Sequence, residues 1–355
     1  AIEPERFYHF QFIDLYTHNY AYVGTLTTGN TPGKFLLAGP DLSSAAPDGV
    51  DRVIQSETNL VFVIVRTQLF GPDDLPRVEE IQRSYDVQPL SAFAQTPAPK
   101  AAAELTFPTW VEGAQFDERS FEYIDFMLQL LGEPSGEEAA LRERMATIGI
   151  DGKGDFELAT VSESTRDALA AGVQDGFAEI EQFAQENSAD PLASAKIFGT
   201  REFLEDSART NYGLESPYLP RAVAAHMGLY GNSAAEAVYP TFLTDTEGSA
   251  LDASSSDYTL TFEDDSLPPA KAFWSLTMYD GKTQLFVSNP LERYLQNSTT
   301  MDDYVLEDDG SLVLHIGKES PGDALEANWL PAPDGPFYLV LRLYGPEAEV
   351  LDGAW

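Results

Sequence analysis

The chain has 355 residues, 43% of them hydrophobic and 12% aromatic, so it is long enough to bury more than one core. Its 58 acidic residues against 21 basic ones give a formal charge of −37, which repels nucleic-acid phosphates and anionic lipid. The absence of cysteine excludes disulfides and thiolate chemistry, and no apolar run is long enough to suggest membrane insertion.

The first predicted element is a strand from Phe7 to Ile13, in which apolar and polar side chains alternate. Tyr8 and Phe10 fall on one face and His9 and Gln11 on the other, which is the pattern of a half-buried strand. More β-rich segments and one short helix follow, separated by Gly, Pro and Asn. Residues 1–95 are therefore predicted to form a β-rich domain.

The next segment is rich in Pro and Ala and shows neither strand nor helix periodicity, which predicts a linker. Beyond it apolar residues recur at helical spacing, and Ser164 opens a segment that resembles a capping box. Residues 96–210 are predicted to be a linker and a helical connector.

Residues 211–355 are predicted to be a second β domain, after one opening helix that carries Pro220 in its first turn. Short apolar strands follow one another with Gly, Pro and Asp turns and no helix between them, which favours antiparallel pairing. The predicted fold class is α+β and mostly β: two antiparallel β-sandwich or jelly-roll-like domains joined by a helical segment.

Two blocks of sequence resemble known families. The segment "FQFIDLYTHNYAYVGTLTTGNTPGKFLLAGP" resembles the amino-terminal domain of unknown function numbered 1254, over residues 7–90. The segments "LPPAKAFWSLTMYDG" and "NWLPAPDGPFYLVLRLYGP" resemble its usual carboxy-terminal companion, numbered 1214, over residues 211–355.

The resemblance implies two sandwich-like β domains, commonly in exported bacterial proteins, and no established reaction. The segment rich in Asn, Asp and Tyr that usually precedes the first block is absent, so the domain is expected to be truncated at its start. Family members also usually continue into a pair of prolines where this chain ends.

The first candidate site is the turn after the first predicted strand. His18 is a candidate base or ligand at neutral pH, with Asp14 to orient it and Asn19 beside it. The alternative is structural: Asp14 and Asn19 bond the amides of the turn, and His18 packs.

The second candidate site is the helix that contains His226, a candidate base, and Tyr230. The two are four residues apart and share a helix face, and Arg221 in the first turn is a candidate clamp for a carboxylate or a sugar hydroxyl. Alternatively, Arg221 binds acidic neighbours and His226 is a core residue.

The third candidate is a wall of two strands. Alternation places Tyr279 and Arg342 on polar faces, which would form one ligand-binding surface if the strands share a side. A buried Arg342 needs a carboxylate, which either a substrate or a neighbour such as Asp280 or Asp245 would supply. Arg293 and Trp329 are further candidates, as a stacking surface for a sugar ring or as an aromatic plug under a loop.

No catalytic, phosphate-binding or metal-binding motif is present, and the four histidines are scattered. We expect no cofactor and no metal site. The sequence favours an exported, periplasmic or extracellular protein that binds a small polar molecule or a glycan and forms homo-oligomers. The alternative is a cofactor-independent hydrolase or lyase with His18 or His226 as base and an arginine clamp.

Overall fold

Antiparallel sheets near both ends of the chain and helices between them form an α+β fold, as the sequence predicted. The computed structural model describes residues 2–43, 45–134, 137–188, 190–264 and 266–355. In the described part of the chain, no helix is long and apolar enough to cross a membrane.

The amino-terminal region is a small two-part β structure. Its main sheet has the strand order β2-β1-β5 and is antiparallel, whereas β3 and β4 form a separate parallel pair. The strands are β1 Tyr8–Asp14, β2 Asn19–Gly24, β3 Phe35–Ala38, β4 Arg52–Gln55 and β5 Val61–Thr67.

Strand β1 is buried on both faces, so the prediction of a half-buried strand is wrong. Its apolar face contributes Phe12 to a core with Val23 and Ile54. Its polar face is covered as well, because the segment that ends with Glu236 packs over His9 and Gln11. Long-range packing therefore buries a surface that strand periodicity assigns to solvent.

Helices fill the middle of the chain, where α5 packs against α8, and α6 packs against α7 and α8. The long helix α5 begins after Ser162, whose hydroxyl accepts the Thr165 amide, so the predicted cap at Ser164 lies two residues too late. The helices are α1 Leu75–Arg83, α2 Leu90–Phe93, α3 Ser120–Leu128, α4 Glu137–Ala146, α5 Glu163–Glu186, α6 Ala193–Ile197, α7 Arg201–Tyr212, α8 Tyr218–Gly228 and, at the carboxy terminus, α9 Ala348–Leu351.

The carboxy-terminal region consists of two sheets packed face to face. One sheet has the order β10-β9-β13-β6, with β7 also on β13, and the other has the order β12-β11-β8. Their strands are β6 Ala237–Val238, β7 Thr241–Phe242, β8 Tyr258–Phe262, β9 Ala270–Asp280, β10 Leu295–Asn297, β11 Leu312–Gly317, β12 Trp329–Pro331 and β13 Phe337–Pro346.

The core of this sandwich is built by alternation along β9 and β13. Trp274, Leu276 and Leu341 point inward and meet Leu314 and Leu330 of the facing sheet. Because successive strand residues point to opposite sides, the other set of β9 and β13 side chains forms the outer face of the sheet. That outer face meets the residue just before β1, Phe7, whose ring contacts the rings of Phe273 and Tyr344.

Candidate functional site

A cleft of about 250 Å³ lies where the amino-terminal sheet meets the outer face of the carboxy-terminal sandwich. Its size falls just below the usual range of roughly 300–1,000 Å³ for ligand sites, so it suits a small molecule. It is lined by Phe7, Arg66, Thr67, Gln68, Leu69, Phe273, Ser275, Leu295, Asn297, Thr299 and Tyr344.

Arg66 of β5 carries the only charged side chain in this lining. Its Nη1 donates to Gln11 Oε1 at 2.7 Å and to His9 Nε2 at 3.2 Å, and both acceptors are neutral. Among the residues that the structure describes, no carboxylate lies within ion-pair distance of this guanidinium. A positive charge without a counter-ion therefore faces the cleft of a strongly acidic protein.

His9 and Glu236 hold Arg66 from behind. The buried His9 Nδ1 lies 2.8 Å from Glu236 Oε2, and its Nε2 accepts from Arg66. Burial lowers the pKa of His9, the Arg66 charge adds to this, and Glu236 opposes it. His9 is therefore neutral with its proton on Nδ1, so that it donates to Glu236 and accepts from Arg66.

The opposite wall of the cleft is the outer face of β9 and β13. Cross-strand register pairs Ser275 with Arg342 and Phe273 with Tyr344, so these side chains share one side of the sheet. The rings of Phe273 and Tyr344 stack with centroids 4.5 Å apart and an interplanar angle of 14°. The wall thus combines an aromatic platform with the Ser275 hydroxyl.

Arg342 lies on the same face but has different partners from those expected. It donates to Thr277 Oγ1 at 2.7 Å and to the Tyr279 hydroxyl at 2.9 Å. The expected ion pair with Asp280 or Asp245 is absent from the described residues, because each of these carboxylates accepts amides of its own turn. Arg342 is therefore bound by neutral hydroxyl groups.

The turn between β1 and β2 forms a second polar cluster. His18 Nδ1 lies 3.1 Å from Asp14 Oδ2 and 3.1 Å from Glu57 Oε1, and Asp14 Oδ1 also accepts the His18 amide. Thr17 adopts a left-handed conformation with φ of 70°, which turns the chain so that His18 returns over Asp14. Asp14 and His18 are 3% and 1% exposed, whereas the Glu57 side chain is 39% exposed.

Arginines surround this cluster. Arg201 contacts both oxygens of Glu57 at 3.0 to 3.2 Å and Glu138 Oε1 at 2.9 Å, and Arg221 donates to the Tyr16 carbonyl. His18 Nε2 and Arg221 Nε are buried without a partner among the described residues.

These charges perturb each other's titration. Burial lowers the pKa of His18, but its bonds to Asp14 and Glu57 outweigh burial and raise the pKa above the ordinary value. Burial raises the pKa of Asp14. Partial burial opposes ionisation of Glu57, but bonds to His18 and Arg201 outweigh it and lower its pKa to about 2.

The fold brings some of the predicted site residues together and separates others. Asn19 is adjacent to the His18 cluster and donates to the Gly231 carbonyl, while Tyr230 and Arg221 line a void of about 10 Å³ beside Thr17. His226 is exposed near the end of α8, with its ring against Phe177. The prediction that it shares a helix face with Tyr230 is wrong, because α8 ends at Gly228 and Tyr230 has a left-handed conformation with φ of 71°.

Arg293 and Trp329 are both hydrogen-bonded within the carboxy-terminal region. Arg293 donates to the carbonyls of Glu326 and Trp329, and the buried Trp329 indole donates to Gly317 at 2.9 Å. Both side chains are therefore engaged inside the carboxy-terminal region, away from the cleft.

Sequence reasoning missed Arg66, Glu236 and Glu57. The polar face of β1 was the available signal for the first two, because His9 and Gln11 on one face need polar partners if that face is covered. Glu57 lies 39 residues from His18 along the chain and carries no local signal.

Comparison with known proteins agrees with this architecture. A crystal structure of the VPA0106 protein from Vibrio parahaemolyticus superimposes with a TM-score of 0.74 and 22% identity, covering 100% of this chain and 81% of that one. This likeness concerns the fold. None of the curated proteins compared with the chain matches it.

Two family models match the chain in separate regions. Residues 1–89 match the protein of unknown function DUF1254, and residues 236–348 match the protein of unknown function DUF1214. The chain therefore combines an amino-terminal DUF1254 region with a carboxy-terminal DUF1214 region, as the sequence resemblance predicted.

Proposed function

We propose that the protein binds a small, polar, carboxylate-bearing molecule of the sugar-acid class in the cleft between its two β regions. The observation that carries this proposal is the Arg66 guanidinium, which faces the cleft without a carboxylate partner among the described residues. A ligand carboxylate would supply the missing negative charge and accept two parallel N–H bonds from Nη2 and Nε.

The remaining lining supports the same ligand class. Ser275, Asn297 and Thr299 offer hydroxyl and amide groups to a polyhydroxylated molecule. The stacked pair of Phe273 and Tyr344 offers an aromatic surface for the apolar face of a sugar ring. In this proposal the protein acts as an exported, self-associating binding protein.

A cofactor-independent hydrolase or lyase draws less support from the geometry. His18 does not line the cleft, and its Nε2 is buried, so it has no route to a ligand held by Arg66. His226 is exposed at the end of α8, against Phe177.

Calorimetric titration with glucuronate, galacturonate and gluconate, and with glucose and galactose as neutral analogues, tests the proposal. We expect at least one acid to bind at least tenfold more tightly than its neutral analogue, a difference of about 1.4 kcal/mol. Arg66→Ala should abolish this preference, and Arg66→Lys should restore part of it, because an ammonium keeps the charge without the planar fork.

Arg52→Ala is the matched control, since Arg52 is an exposed arginine of the same amino-terminal region. The proposal would be contradicted by equal affinity for acids and neutral sugars, by no acid binding up to millimolar concentration, or by an Arg66→Ala variant that binds like Arg52→Ala.

Light scattering tests self-association separately. A monomer at micromolar concentration would contradict it.

A further inference from the structure

We propose that Asp14, His18 and Glu57 form a binding site for a divalent transition-metal ion of the Zn²⁺ class. These residues supply the one group of three or more candidate ligands found among the described residues, with donor atoms all within 4.8 Å of each other. The site is separate from the cleft, and it does not depend on the proposed ligand.

Two of the three donor–donor distances fit a single ion, and the third, between the carboxylates of Asp14 and Glu57, is at most 4.8 Å. Ligand atoms about 2.1 Å from a metal, at tetrahedral or octahedral angles, lie about 3.0–3.4 Å from each other. His18 Nδ1 is 3.1 Å from Asp14 Oδ2 and 3.1 Å from Glu57 Oε1. One imidazole nitrogen with two carboxylate oxygens is a donor set that suits Zn²⁺ or Mn²⁺ better than Ca²⁺, which takes six to eight oxygens.

Two of the three donors are fixed before any ion arrives. Asp14 and His18 are almost completely buried, and the left-handed turn at Thr17 together with the bond from the His18 amide to Asp14 Oδ1 holds them in place. Glu57 is the exposed member, so an ion would enter from its side.

Charged groups of both signs surround the proposed site. The carboxylates of Asp14, Glu57 and Glu138 lie close to the guanidinium groups of Arg201 and Arg221, and Arg142 donates to the hydroxyl of the neighbouring Tyr16. A proton and a metal ion would compete for the lone pair of His18 Nδ1.

Arg201 orients Glu57 and lowers the affinity that we expect for a metal ion. Two of its three contacts are to Oε2, which leaves Oε1 turned towards His18. Nearby guanidinium groups repel an ion, and binding through Nδ1 leaves the proton on Nε2, for which the described residues supply no acceptor. We therefore expect a micromolar dissociation constant, rather than the tighter binding typical of structural zinc.

The test is titration of the chelator-treated full chain with Zn²⁺ at pH 7.5, with Co²⁺ absorption as a second readout. We expect one saturable site per chain and a visible Co²⁺ spectrum with intensity typical of nitrogen and oxygen ligands. Glu57→Gln should weaken Zn²⁺ binding at least tenfold, and His18→Gln should abolish the spectrum.

Glu138→Gln is the control, because it removes one negative charge from the same cluster without removing a donor atom. It should change Zn²⁺ affinity by less than threefold. If Glu57→Gln and Glu138→Gln weaken Zn²⁺ binding equally, the ion is attracted to an acidic surface in general, and the proposed site is wrong. If the wild-type chain shows no saturable Zn²⁺ binding, His18 holds a proton in place of a metal ion, and the proposal is equally wrong.

Should His18→Gln fail to fold, Glu57→Gln still decides, because Glu57 is exposed and its replacement keeps the shape of the side chain. Lowering the pH provides a further check: Zn²⁺ affinity should fall steeply as His18 takes up its proton. An affinity that is independent of pH between 6 and 8 would contradict imidazole ligation.

Discussion

Replacing Glu236 by Ala tests whether the buried hydrogen bond between His9 and Glu236 stabilises the packing of the two β regions against each other. Glu236 and His9 are 3% and 0% exposed, and their side chains meet at 2.8 Å. A hydrogen bond to a charged group contributes about 1.5–3 kcal/mol, and its loss leaves the His9 N–H buried without an acceptor. We therefore expect the free energy of unfolding to fall by about 2–3 kcal/mol.

Urea unfolding followed by tryptophan fluorescence measures this change as a lower midpoint at constant slope. Glu236→Gln keeps an acceptor for His9 and should lose less than half as much stability. Glu247→Ala removes an exposed carboxylate and serves as the control for net charge. If Glu236→Ala and Glu247→Ala differ by less than about 0.5 kcal/mol, the buried contact does not stabilise the fold and the reasoning fails.

Three further predictions concern pH, packing and a predicted site residue. Burial holds the pKa of His9 below its ordinary value of about 6.5, so the unfolded chain takes up a proton on His9 before the folded chain does as the pH falls. The free energy of unfolding is therefore unaffected by this proton above pH 6.5 and decreases below it. The stability difference between wild type and His9→Gln should thus be larger at pH 7.5 than at pH 5.5, and equal differences would refute this. Leu341→Ala, in the centre of the sandwich, should cost about 2–5 kcal/mol in the same urea assay, whereas the exposed Val87→Ala should change stability by less than about 0.5 kcal/mol. His226→Ala should leave both stability and acid binding unchanged, because His226 is exposed; a tenfold loss of affinity would place it in the site.

Several features of the fold could be predicted because they depend on neighbours in the chain. Strand alternation placed Tyr279 and Arg342 on the polar faces of their own strands, and the register of β9 with β13 then puts these two faces on the same side of the sheet. The closeness of Asp14 and His18 is local as well, because the two residues are only four positions apart in the chain.

The partners of these residues could not be predicted in the same way. Arg342 was expected to need a carboxylate, but the pairing of β9 with β13 placed the hydroxyls of Thr277 and Tyr279 against it. His18 was a candidate without a second acidic partner until the β4–β5 loop brought Glu57 to it.

The sequence by itself determined the α+β class and the alternating faces of the main strands, because these follow from side-chain periodicity and local turns. The two family regions were indicated by the resemblance of particular segments to known families. Only the tertiary structure decided that β1 is buried on both sides and that Arg66 faces a cleft with His9 and Glu236 behind it. The physical reason is that periodicity fixes the side on which a residue lies, whereas the group it meets there depends on packing between segments more than 200 residues apart.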